Sequence, residues 1–536
     1  MTSDKSTLAT PLSAAFLALA VAGTMPLRGF GAAQAAGAQA AAKGSASQEV
    51  VVQNDSGSAV PPGTVVLSID PSVPVGRVKP MDAVNNGPSF SLDPNRRREQ
   101  RIGRFAHYRD MHAPMARIHD ARDVASPHHH MCDIGCIFPN WDADENDPAS
   151  YDFALTDWYF ASIRAAGTDI MMRLGNSAVQ GPRQYDFTSP PKDYAKWARI
   201  AEHIIRHYNE GWAWTTEEIP FTNQFNMTYW EIWNEADLGC PASYWTNPTE
   251  YWRNAPRFWN GSPEQFFEFY TVAAKHLKGR FPDLKIGGPS VAGNLLWVEH
   301  FLAHCRTNSV PIDFFSWHIY SDKVEPFEVK AARVKKLLGK YGYGAAESVL
   351  NEWNWNVGWY GEEFRASAQG RAAPNNYKMA AFYAGVMSAM QNSSVDLLMY
   401  YDARVTTHYN ALFDLPLQRP TKGYYPFYAW TKLRDLGTQV ELKTVGAKSG
   451  VRATAAKGTD GSIAVFLSRY TADANVVKDA AVRIRVKGVS LAGARCHMTD
   501  DLYMHTEIPF DVLPDGSMEL YMPPNAFAFV EIAGTR

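Results

Sequence analysis

From about residue 75 to 435, short strand-like runs alternate with amphipathic helix-like segments, and this alternation narrows the possible folds more than any other feature of the chain. Parallel strands need a crossover long enough to carry a helix, so a βαβα succession implies a parallel sheet. The clearest strand-like runs lie at 116–119, 169–174, 228–234, 285–288, 313–320, 348–351 and 395–401. A run near 75–84 would complete eight, although Pro80 within it lacks the N–H that a ladder uses. Between the strands, helical spacing is plain. In 194–208, Trp197, Ile200, Ala201, Ile204 and Ile205 recur at three- and four-residue steps, and similar faces occur in 263–278, 327–339 and 377–391. The strand count and the size of the region favour an α/β fold of the closed (β/α)8 type, a TIM barrel. No glycine-rich phosphate loop follows the early strands, which argues against a doubly wound dinucleotide fold.

Beyond residue 438 the pattern changes to period two: Val482, Ile484 and Val486 alternate with Arg483, Arg485 and Lys487. The runs 463–467 and 518–532 are also strand-like, as are 49–52 and 64–69. The expected layout is a catalytic barrel at 75–435 with an accessory β-sandwich built from 49–74 and 438–536. Residues 1–48 read as an export signal and linker, an apolar stretch followed by an Ala/Gly/Gln-rich one, so a periplasmic or secreted location is expected; if that stretch is no signal, the location is cytoplasmic. No later stretch is apolar enough to span a membrane. Net charge is −3, without the basic excess of a nucleic-acid binder.

Two segments carry the chemistry: Tyr229-Trp230-Glu231-Ile232-Trp233-Asn234-Glu235 and Val349-Leu350-Asn351-Glu352-Trp353-Asn354-Trp355. Each sets a Glu just past an apolar strand, where barrel enzymes hold their reactive groups. The interval between Glu235 and Glu352 leaves room for three βα units, which places them on strands four and seven across the barrel mouth. Paired carboxyl groups suit glycoside hydrolysis, one donating a proton and one attacking the anomeric carbon. Glu231 shares the strand face of Glu235 but lies deeper, and is read as a buried, paired charge. The chain is 13% aromatic with 16 Trp, and flat apolar rings suit the faces of sugars. Trp353, Trp355 and Trp359 are candidate stacking platforms, and Trp245, Trp252 and Trp259 could close a pocket or line a cleft. His128, His129 and His130 lie near Cys132 and Cys136, but their spacing matches no standard zinc pattern, so no metal is expected. The five cysteines are scattered, and at most one pair is expected.

The segments Trp-Glu-Ile-Trp-Asn-Glu (230–235), Trp-His-Ile-Tyr (317–320) and Leu-Asn-Glu-Trp (350–353) resemble clan A glycoside hydrolases, most of all glycoside hydrolase family 39, whose members include β-xylosidases and α-L-iduronidases. The stretch 137–151 is similar to bacterial members as well. The resemblance covers roughly residues 100–435 together with the β-domain layout. It implies a retaining, β-xylosidase-like exo-glycosidase acting by double displacement, without cofactor, on a glycoside or oligosaccharide. Glu235 would be the acid/base and Glu352 the nucleophile. Asn234 would bond the substrate 2-hydroxyl, and His119 and His318 would line the sugar site. Tyr320 would orient Glu352 and Arg117 would keep Glu352 ionised, and both, with Trp353, would belong to the groups that contact substrate. An endo-acting glycanase of the same clan and a non-catalytic carbohydrate-binding protein stand as alternatives; the presence of both Glu disfavours the second.

Overall fold

The computed structural model describes residues 61–534 apart from 62, 88, 91–100, 103–104, 122–130, 178–187, 215–224, 249–257, 374, 406–407, 415–418 and 447–449. The expected leader at 1–48, the run at 49–52, His128 to His130 and Trp252 lie outside the described residues.

Eight parallel strands close into a barrel: β1 (Ala83–Asn85), β2 (Met115–Ile118), β3 (Asp169–Leu174), β4 (Tyr229–Ile232), β5 (Lys285–Val291), β6 (Phe314–Tyr320), β7 (Glu347–Asn354) and β8 (Leu397–Tyr400). β8 pairs with β1 to complete the ring. The first strand begins later than its sequence pattern implies. Pro80 stays outside the ladder and only accepts, its carbonyl taking the Leu398 N–H, while pairing with β8 starts at Ala83. Where β5 meets β6, only glycine fits: a Cβ on Gly287 would lie 2.3 Å from the Phe314 carbonyl oxygen.

The outer helices start and stop where local chemistry directs. Asp193 accepts from the N–H groups of Ala195 and Lys196 to cap the helix Tyr194–Glu210, which Gly211 ends in the left-handed conformation at φ 77°. Ser262 and Gln265 form a reciprocal capping box around Pro263 at the head of the helix Pro263–Arg280. Asp193→Ala is expected to cost about 1 kcal/mol, readable as a small fall in thermal midpoint with activity retained.

The barrel interior has two characters. Its N-terminal end is plugged by Ala83, Met171, Phe314, Val349, Leu397 and Met399. One layer further up, the inward positions turn polar, with Asn85, Arg117, Glu231 and Asn351 all buried. Outward positions such as Trp230, Trp317 and Trp353 pack under the helices.

The accessory domain is one ten-stranded sheet. Its strand Val65–Arg77 lies between Thr438–Val445, antiparallel, and Ala480–Val486, parallel. One face supplies its own core, including Val65, Leu67, Val465, Leu467, Val482 and Ile484. The alternate residues Phe466, Phe527 and Phe529 join the barrel core instead. There Trp430 meets Phe466 edge to face at 4.9 Å, and Ser468 Oγ donates to the Ala381 carbonyl at 2.6 Å. Among the described residues no disulfide joins any of the five cysteines. Among the described residues, no helix is long and apolar enough to cross a membrane.

Candidate active site

At the C-terminal end of the barrel, Arg117 on β2 organises the polar layer. A guanidinium has five N–H groups, and each finds a protein acceptor. Nε donates to Glu231 at 2.6 Å, Nη1 to Asn85 at 3.1 Å and Glu352 at 2.8 Å, and Nη2 to Asn234 at 2.7 Å and Ser290 at 2.9 Å. Arg117 therefore has no donor left for a sugar. The expectation that it contacts substrate is corrected: it is a buried cation that positions five neighbours. Glu231 is the paired interior charge expected of it, fully buried between Arg117 and Asn351.

Glu352 projects from β7 beside a break in the ladder. Against β6, Leu350 pairs with Trp317 and Glu352 with His318, so Asn351 is an extra residue. Two consecutive side chains thereby face inward, Asn351 donating to Glu231 at 2.5 Å and Glu352 accepting from Arg117. The Asn351 carbonyl accepts from Asn85 Nδ2 at 2.7 Å. Glu352 Oε2 accepts from Tyr320 at 2.8 Å, and His119 Nε2 lies 3.5 Å from Oε1. Trp353 then points outward. It is fully buried, packed edge-on against Phe327, Tyr383 and Tyr400. The structure does not bring Trp353 to the site, because the residue after an inward-facing one on a strand faces the helices.

Glu235 stands just beyond β4, on a chain bent by left-handed conformations at Trp233 (φ 70°) and Glu235 (φ 48°). Non-glycine residues avoid this region unless the surroundings hold them there. Here Trp233 N bonds Leu174 O at 2.8 Å, and Glu235 N bonds Ser290 O at 2.9 Å. His318 Nδ1 contacts Glu235 Oε1 at 2.8 Å and lies 3.5 Å from Glu352 Oε2. One oxygen of each Glu and a His318 nitrogen all fall within 4.8 Å of one another. Three such donors have the types and spacing to hold a metal ion, but beside them Arg117 already supplies the positive charge.

Burial dominates the electrostatics. It raises the Glu352 carboxyl above its ordinary value; His318, Arg117 and Tyr320 pull it down and Glu235 adds to the rise. The expected lowering by Arg117 is present but outweighed by burial. Burial also opposes the charge of Arg117, yet Glu231 and Glu352 together raise its pKa above the usual arginine value. The imidazoles are neutral near pH 7, with burial pushing His318 down to about 4 and His119 to about 3.

Asn234 has its amide direction set by Arg117, so its buried Nδ2 points its N–H groups elsewhere, with no partner among the described residues. His119 Nδ1 is likewise buried without one. Both atoms suit sugar hydroxyls. Of the other aromatics, Trp355 is buried, bonding Tyr470 at 3.2 Å, and Trp259 is buried against Trp233. Trp245 stacks on His300 at 3.7 Å. Trp359 is 46% exposed and meets Tyr320 edge to face at 4.9 Å. Sequence reasoning missed Asn85 and Ser290. Each sits at a strand's C-terminal end, which is the one available signal.

The profile of Glycosyl hydrolases family 39 matches residues 114–408. A β-xylosidase of Geobacillus stearothermophilus is 30% identical over 136 residues, which is 25% of this chain and 22% of that protein. One of Caldicellulosiruptor saccharolyticus is 30% identical over 132 residues, again 25% and 22%. The aligned part thus spans about a fifth of the length of those relatives. Among solved structures, a glucosidase from Croceicoccus marinus superposes with a TM-score of 0.65 at 21% identity, over 88% of this chain and 100% of that one. A monomeric β-xylosidase from Caulobacter crescentus gives 0.61 at 16% over the same shares, and both likenesses concern the fold. With the family profile matching more than half of its length across the barrel that holds Glu235 and Glu352, the chain belongs to glycosyl hydrolases family 39.

Proposed function

We propose that this protein is a retaining, exo-acting glycoside hydrolase of β-xylosidase type, with Glu352 as nucleophile and Glu235 as acid/base. The observation that carries the reading is the approach of the two carboxylates, with one oxygen of each within 4.8 Å of the other. Retaining enzymes hold their carboxyl groups ~5–5.5 Å apart, whereas inverting ones leave ~6.5–9.5 Å for a water molecule. The sugar class rests on the β-xylosidase relatives.

In this mechanism Glu352 attacks the anomeric carbon while Glu235 protonates the departing oxygen, and Glu235 then takes a proton from the water that releases the glycosyl-enzyme. Donors on both Glu352 oxygens hold it for attack. Asn234 Nδ2 offers a bond to a sugar hydroxyl that strengthens as the oxocarbenium-like state forms. Trp359, at the mouth, offers a face to the leaving group.

A panel of aryl glycosides tests the whole reading, with β-D-xyloside, α-L-iduronide and arabinosides first. The β-D-xyloside should be hydrolysed, with the first-formed sugar keeping its configuration by NMR. An inverted product, or no turnover on any glycoside, would sink it. Trp359→Ala should raise KM for xylo-oligosaccharides roughly threefold to tenfold while kcat holds, the pattern of a binding contact made equally in ground and transition states. In Glu235→Ala, activated aryl glycosides need little protonation, so glycosylation should survive while release slows. A burst should appear, and added azide should yield a glycosyl azide of retained configuration. We also propose export, tested by whether the mature N-terminus isolated from the native host lies beyond the apolar segment at 11–27.

A further inference from the structure

Ser290, on β5, touches both halves of the site. Its backbone φ of 59° is left-handed, where a serine stays only if held. Four neighbours hold it. Its N–H donates to Ser316 Oγ at 2.9 Å, its carbonyl accepts the Glu235 N–H at 2.9 Å, and its hydroxyl meets Arg117 Nη2 at 2.9 Å and His318 Nε2 at 2.6 Å. Asn351 Nδ2 adds a longer contact at 3.3 Å.

The directions of these bonds follow from donor counting. Arg117 can only donate, so Ser290 Oγ accepts from it. The one serine proton then goes to the nearer of the two acceptors that remain, His318 Nε2 at 2.6 Å rather than Asn351 Oδ1 at 3.5 Å. A neutral imidazole has one N–H, and burial keeps His318 neutral near pH 7. With Nε2 accepting, the ring proton must be on Nδ1, and Nδ1 lies 2.8 Å from Glu235 Oε1.

We propose that Ser290 is a positioning residue for the acid/base: by fixing His318 as the Nδ1–H tautomer it makes Glu235 Oε1 a permanent acceptor, so that the proton given to the leaving group is carried on Oε2. The chain Arg117 to Ser290 to His318 to Glu235 runs one way because Arg117 can only donate and the serine proton goes to its nearer acceptor. It links the cation beside the nucleophile to the orientation of the acid. The inference rests on the roles proposed above for Glu235 and Glu352.

Two measurements test it, and the first needs no substrate. In histidine-labelled whole protein, 15N–1H correlation spectra with His318 assigned from the His318→Asn variant should show Nδ1 protonated and Nε2 bare near pH 7. A proton on Nε2 in the wild type overturns the proposal, whatever the enzyme hydrolyses. The second uses Ser290→Ala together with Ser290→Gly, the latter suited to the left-handed backbone. Both should disturb the tautomer. Both should also lower kcat/KM roughly tenfold or more for poor leaving groups such as methyl glycosides, with dinitrophenyl glycosides far less affected. Equal losses on both substrate classes, or an unchanged tautomer in both variants, would assign Ser290 a merely structural part. Absence of glycosidase activity in the wild type would instead strike at the proposed function and leave the tautomer result standing.

Discussion

Glu352→Ala is expected to lower turnover on the order of 10⁴-fold or more, the scale seen when a covalent nucleophile is removed, while the protein stays folded. With no group left to form the glycosyl-enzyme, azide added to the variant should enter the vacated space and attack from the same face. The rescued glycosyl azide should therefore have inverted configuration, opposite to that from Glu235→Ala. Interchanged stereochemistry would reverse the two assignments. The stability of the variant carries separate information. A carboxyl whose folded pKa is raised above the unfolded value supports the fold fully only below that unfolded value, near 4.3 for Glu. The support is lost as pH rises through the folded pKa. Glu352 is raised in this way, so the wild type should lose part of its stability across that window. The alanine variant should not, and at neutral pH it should melt no lower than the wild type.

Arg117→Met should be the most destabilising change in the barrel interior. It leaves Glu231 and Glu352 without their shared cation, and Asn85, Asn234 and Ser290 each lose a donor. Breaking a buried ion pair from one side costs about 3–5 kcal/mol. The thermal midpoint should fall well below that of the wild type at pH 7, and less so near pH 4, where the Glu352 carboxyl is more protonated and no longer needs a counter-charge. Activity should fall with it, since Glu352, Asn234 and Ser290 are all held from this one side chain. Arg117→Lys should rescue only part of either loss, because an ammonium brings three donors to five acceptors. A lysine variant equal to the wild type in stability and rate would show that charge alone matters here.

The barrel and its two carboxylates were legible in the sequence because they follow from periodicity and from strand ends. Glu235 and Glu352 each close an apolar run, and His318 and Tyr320 share a face of β6 by strict alternation. What could not be read is contact made across the barrel. Nothing around Arg117 announces that its acceptors come from β1, from β4 and just beyond it, and from β5 and β7, so a positioning cation was placed among the groups that touch substrate. Trp353 misled for a local reason: aromatic character beside a reactive Glu suggests a platform, yet the next position on a strand faces away. Trp359, past the end of β7, is exposed instead, which tertiary structure decides. Ser290 offers the sequence nothing but its place near the end of a strand. Its role depends on a left-handed backbone and on bonds to residues far away in the chain.

The extra residue in β7 has a consequence for how this site tolerates change in chain length. A nucleophile displayed after a bulge is positioned by a miscount: both neighbouring strands spend one residue fewer than β7 over the same stretch. Deleting one position at Leu350 or Asn351 would let β7 run in step with β6 and β8. In a regular strand, however, Asn351 and Glu352 cannot both face the barrel interior. Such a deletion would tidy the sheet and dismantle the carboxylate–arginine cluster together. Residue number at 350–352 thus matters to the cluster as much as residue identity does, and a chain shortened there by one residue should keep its barrel while losing its hydrolysis.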